Sequence, residues 1–93
     1  MEDAVPTQLI DNDRVRVTEW KFPPNSHTGW HRHEMDYVVV PVTNGQLHLK
    51  EPDGERTIEL VLGSPYFREE GVEHDVINPS ETSEVIFIEV EMK

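Results

Sequence analysis

Cysteine is absent from all 93 residues, which excludes disulfide bridges and thiolate chemistry of any kind. Basic residues are scarce as well, with 8 lysines and arginines against 19 aspartates and glutamates and a formal charge of −11. Such a chain repels phosphate backbones instead of releasing their counterions, so no nucleic-acid partner is expected; the acidic excess reads first as a solubilising surface. No apolar run approaches the roughly 20 residues that a membrane-spanning helix needs. The opening stretch, MEDAVPTQLI, has neither the basic start nor the apolar core of a secretion signal. A cytoplasmic location without a membrane partner is the expectation. Helical periodicity is also missing, since no ten-residue stretch repeats its apolar side chains at intervals of three and four.

What is present is a series of short, β-rich runs separated by turn residues. Arg14 to Phe22 alternates, with Val15 and Val17 on one side and Arg16, Thr18 and Trp20 on the other. PPNS at 23–26 breaks that run, because two prolines remove backbone donors and Asn25 tolerates a left-handed turn. Val38 to Thr43 reads as a strand ending at Asn44-Gly45, with QLHLK at 46–50 returning as its hairpin partner. Pro52-Asp53-Gly54 turns the chain again, and RTIELVL, SPYFRE, HDVIN and SEVIFIEVEMK supply further strands. The expected fold is all-β: a small antiparallel barrel of six to eight strands, forming one domain over residues 1–93.

His31 and His33 lie two apart in a strand-like segment, so both imidazoles project from one face with Cα atoms about 6.5–7 Å apart, close enough to share an ion. Imidazole is the commonest protein ligand for zinc, iron, nickel and copper. The pair alone is weak support, because exposed histidines two apart are ordinary.

The surrounding residues resemble the two motifs of the cupin superfamily over residues 25–45 and 63–78. The second motif runs Gly, five residues, Pro, any residue, Gly, two residues, His, three residues, Asn; Gly63, Gly71, His74 and Asn78 stand at those spacings, with Glu69 in place of the proline. The first runs Gly, five residues, His-x-His, three or four residues, Glu, six residues, Gly. His31, His33 and Gly45 match it, and Asn25 replaces its first glycine. Its glutamate is missing, the position being taken by Tyr37 or Val38. The resemblance implies a double-stranded β-helix of the jelly-roll type, a divalent metal ion (Fe, Zn, Ni or Mn) on His31, His33 and His74, and a homodimer. TGWHRHEMDYVVVPVTNG and GVEHDVIN also resemble small bacterial cupins linked to β-alanine breakdown, which implies amino-acid catabolism without naming a reaction.

Counting in twos from His33 puts Met35 and Tyr37 on the inward face and Glu34 and Asp36 on the other. Tyr37 is the candidate catalytic residue, placed to donate a hydrogen bond to a bound substrate. His27 shares the parity of His31 but is separated from it by Gly29, which suggests the barrel mouth. His48 alternates with Leu47 and Leu49 and reads as surface. Arg68 suits either a substrate carboxylate or an ion pair with Glu69 or Glu70. Trp20 and Trp30 are candidates for pocket wall, core or subunit interface. The function expected is an enzyme acting on a small organic acid or enolisable metabolite, possible reactions including oxygenation and isomerisation; the alternative is a non-catalytic metal or metabolite sensor. Protonation of the histidines should weaken metal binding below about pH 6.

Overall fold

The apolar alternation found in the sequence builds strands and no helix in the computed structural model, which describes residues 1–93. In chain order the strands are β1 (Glu2–Asp3), β2 (Val5–Asp11), β3 (Val15–Phe22), β4 (Ser26–His27), β5 (His31–Arg32), β6 (Asp36–Pro41), β7 (Gly45–Glu51), β8 (Gly54–Leu60), β9 (Tyr66–Arg68), β10 (Glu73–Asn78) and β11 (Val85–Met92). One sheet has the order β1-β4-β10-β7-β8, with β5 also paired to β10; the other has the order β2-β3-β11-β6-β9. Every pairing is antiparallel except β1 with β4. The result is a double-stranded β-helix with eleven strands, more than the six to eight expected, because short pieces break off around the turns.

The two sheets close on Phe22, Leu47, Leu49, Leu60, Val85 and Phe87, all buried. In the second sheet, the inward residues form polar rungs. Arg16, Glu91, Tyr37 and Arg68 stand side by side across β3, β11, β6 and β9, and Thr18, Glu89, Val39 and Tyr66 make the next rung. The aliphatic residues Ile86, Ile88, Val90 and Met92 occupy the opposite, outer face of β11 and are only half-buried.

Several turns behave as their residues dictate. Asn25, which replaces the first motif's glycine, has φ 55°, so the left-handed conformation is kept. Asn78, fully buried, donates through Nδ2 to the carbonyls of Phe22, Pro23 and Ser83 at 3.0, 3.2 and 2.8 Å. It thereby ties the turn ahead of the histidine pair to the loop that follows β10.

Two expectations are corrected. The segments 38–43 and 46–50 are not hairpin partners: β6 pairs with β11 and β9, whereas β7 pairs with β10 and β8 in the other sheet. Asn44-Gly45 crosses between sheets and carries no positive φ; Gly45 is needed because a Cβ there would lie 2.9 Å from Val85 Cγ2. The N-terminal decapeptide, read without a strand, adds β2 to the edge of the second sheet. Its proline and its exposed side chains are tolerated at an edge and hid the strand from a pattern search.

Candidate metal centre

His31 and His74 are directly opposite one another in the pairing of β5 with β10. His33 lies just beyond β5, where its amide donates to the Val72 carbonyl and its carbonyl accepts from the Gly71 amide, both at 2.8 Å. Gly71 holds φ 92° in that connection, which is the reason for a glycine at the position. Backbone pairing thus gathers three imidazoles from two segments. Their Nε2 atoms converge, 3.0 Å from His31 to His33 and 3.1 Å from His33 to His74.

Hydrogen bonding alone does not satisfy this cluster. His31 Nδ1 faces the Gly29 carbonyl at 2.9 Å, which can only accept, so Nδ1 carries the proton and Nε2 presents a bare lone pair to the centre. One proton on His33 Nε2 can serve a single neighbour, yet two Nε2 atoms lie within 3.1 Å of it. His74 Nδ1 is buried and has no partner. A divalent ion resolves the conflict, because two donors each about 2.1 Å from one ion and at right angles lie roughly 3.0 Å apart. The residues present therefore fit a metal. Burial, with the neighbouring His31 next in importance, holds His33 down at about 4, and burial followed by His31 and His33 holds His74 at about 3. Both rings are neutral and able to ligate at physiological pH.

The triad opens on a cavity of about 310 Å³ between the sheets. Tyr37 lies in it, stacked on His33 with ring centroids 3.9 Å apart. Its side chain is 2% exposed and its hydroxyl has no partner; burial pushes the phenol well above its ordinary value. Arg68 also lines the cavity, its guanidinium 3.5 Å from Glu51 and unpaired with Glu69 or Glu70. Trp20 walls the cavity with a buried, unpartnered Nε1, whereas Trp30 is exposed and outside it. Glu34 reaches the rim, although strand parity pointed it outward, because regular strand stops at Arg32.

His27 is not at the mouth. It lies on the outer face, where Nδ1–H donates to Asp75 at 3.0 Å, and Asp75 in turn accepts from the Gly29 amide at 3.0 Å. This chain of contacts fixes the loop whose carbonyl orients His31. His48 is on the surface as expected, 2.7 Å from Glu55.

Glu89 and Glu91 were missed. One carboxylate oxygen from each lies within 4.8 Å of a His33 ring nitrogen and of the other. Glu91 is held by Arg16 at 2.8 and 3.2 Å. Glu89 is 8% exposed, and burial, then the nearby Glu91, pushes its carboxyl up to about 7. The sequence did carry a signal, since Val85 and Phe87 have the same parity as the two glutamates, but the aliphatic run Ile86, Ile88, Val90 masked it.

Comparison with known proteins agrees with this architecture. The chain is 57% identical over 90 residues to the β-alanine degradation protein BauB of Pseudomonas aeruginosa, covering 97% of this chain and 94% of that protein. A cupin domain from Bordetella pertussis Tohama I superposes with a TM-score of 0.96 at 60% identity, over 99% of this chain and 95% of that one. A double-stranded β-helix protein from Klebsiella pneumoniae, at 16% identity, shares the fold alone: its TM-score is 0.78 over 97% of this chain and 76% of its own. The cupin-domain profile matches residues 18–91, a span that takes in the three histidines and every residue of the two polar rungs except Arg16. On that match, and on the jelly roll that carries it, the chain belongs to the cupin family.

Proposed function

We propose that this cupin binds one divalent metal ion through His31, His33 and His74 and acts on a small organic acid in β-alanine breakdown. The observation that carries the reading is the convergence of three Nε2 atoms at 3.0 and 3.1 Å with the His31 lone pair already aimed inward. The likeness to BauB supports the metabolic assignment. A divalent ion would supply Lewis acidity toward a substrate oxygen, with three neutral imidazoles as its ligands and the motif's glutamate replaced.

The remaining work falls to the protein's own side chains. The Tyr37 hydroxyl, free of any internal partner, donates to the substrate and orients it against the histidine face. Arg68 offers a guanidinium to a carboxylate from the neighbouring strand, where it pairs in register with Tyr37. Val39, Leu47, Leu49 and Phe87 line the rest of the cavity and exclude water. The half-buried outer face, with Ile86, Ile88 and Val90, is the surface through which two copies associate.

Elemental analysis of the purified protein tests the metal, and a screen of three-carbon acids under aerobic and anaerobic conditions tests turnover. One ion per chain with consumption of an acid is expected. Protein without stoichiometric metal refutes the metal centre; full metal without turnover supports a sensor.

A further inference from the structure

Building on the proposed small-acid site, we propose that Glu89 selects a substrate carrying a primary ammonium group, a small ω-amino acid whose carboxylate lies toward Tyr37 and Arg68.

The two glutamates of β11 differ in what they touch. Glu91 is neutralised in a two-point contact with Arg16. Glu89, 8% exposed on the neighbouring rung, forms no ion pair or hydrogen bond with any side chain. A buried carboxylate without a partner is costly, and the natural complement is a cation brought by the ligand. A hydroxyl would supply one donor and no charge, whereas an ammonium supplies three donors and neutralises the group.

Glu89 is not alone in lacking a partner. The Tyr37 hydroxyl, on a residue 2% exposed, and Trp20 Nε1 are fully buried without one, the Glu89 carboxylate opens on the cavity, and all three residues line the same space. Tyr37 and Trp20 can donate to an acid's oxygens, and Arg68 stands beside Tyr37 with only a 3.5 Å contact to Glu51. Donors for an anion and an acceptor for a cation therefore face one small space. At about 310 Å³ it lies at the small end of ligand cavities, as a short bifunctional molecule requires. A substrate recognised by its ammonium still holds its nitrogen, so its consumption precedes any amine-removing reaction.

The test is calorimetric titration with β-alanine, propionate and 3-hydroxypropionate at pH 7.5, using wild type and Glu89→Gln in both the zinc-loaded and metal-free forms. Wild type should bind β-alanine at least tenfold more tightly than either analogue. Glu89→Gln, which keeps the shape and removes the charge, should abolish that preference and leave propionate affinity within about twofold. Circular dichroism checks that the variant folds, and the three-ligand comparison in wild type needs no variant. Equal binding of β-alanine and propionate by wild type, binding of neither, or an undiminished preference in folded Glu89→Gln would overturn the assignment. Zinc content measured on the same samples judges the three-histidine reading separately, because the amine preference is also read without metal.

Discussion

Lowering the pH from 6.5 to 5 should destabilise the metal-free protein by about 1.5 kcal/mol, a figure set by three buried groups. His33 and His74, at about 4 and about 3 in the fold, stay neutral through this window. In the unfolded chain both take up protons below about 6.5. The unfolded state therefore binds more protons as the pH falls, and stability present above 6.5 is progressively lost. At 1.36 kcal/mol per pH unit, each histidine accounts for a loss of about 1.5 kcal/mol by pH 5. Glu89 works in the opposite sense: at about 7 in the fold, it takes its proton before the unfolded chain does and restores about 1.5 kcal/mol over the same range. Glu51 and Glu55, held low mainly by Arg56 and His48 respectively, titrate below the window. For a domain of this size the net change lowers the melting temperature by roughly 6–12 °C. Glu89→Gln removes the offset and should double the loss to about 3 kcal/mol. Thermal melts of chelator-treated protein at half-unit pH steps measure both. A melting temperature that stays flat from 6.5 to 5, or an identical slope in Glu89→Gln, would refute the reasoning. The same burial would move the onset of proton competition at these two histidines from the expected pH 6 toward pH 4.

His31→Ala and His74→Ala should each abolish stoichiometric metal, read by elemental analysis, whereas Tyr37→Phe should retain it and weaken acid binding in titrations. Asn78→Ala strands three backbone carbonyls and should cost about 2–3 kcal/mol in urea unfolding. Gly45→Ala drives a Cβ to 2.9 Å from the Cγ2 of buried Val85 and should cost about 1–3 kcal/mol; Val85→Ala in the same chain should relieve much of that strain, which a double-mutant cycle measures.

The fold was legible where local chemistry decides it. The β-rich runs gave β3 and β10 to within one residue and β8 and β11 to within two, and Asn25, Gly63 and Gly71 marked backbone positions that do adopt positive φ. His31 and His33 were legible from strand spacing and His74 from its place in the family motif; the β5–β10 pairing, which the sequence did not reveal, is what brings it to the pair. Partnership between strands was not legible. Asn44-Gly45 looks the same whether the chain turns back on itself or crosses between sheets, and only the tight approach of Val85 distinguishes them. Glu89 and Glu91 were hidden for a related reason: in VIFIEVEM hydropathy assigns the glutamates to solvent, yet the barrel turns them inward and leaves Ile86 and Ile88 half-exposed. A polar cavity inverts the rule by which strand faces are usually assigned.

With His31 on β5, His33 just beyond it and His74 on β10, a bound ion would make the proposed site a removable staple. His33 and His74 are 41 positions apart in the chain, and an ion held by both would tie the fold together across a loop of that length. Because the unfolded chain has no preformed site, the free energy of holding the ion would add directly to that of folding. Unlike a disulfide, such a link forms in a chain that has no cysteine, and it opens to a chelator instead of a reductant. The loop it spans contains β6, β7, β8 and β9, drawn from both sheets, so stripping the ion would slacken the two walls of the barrel together.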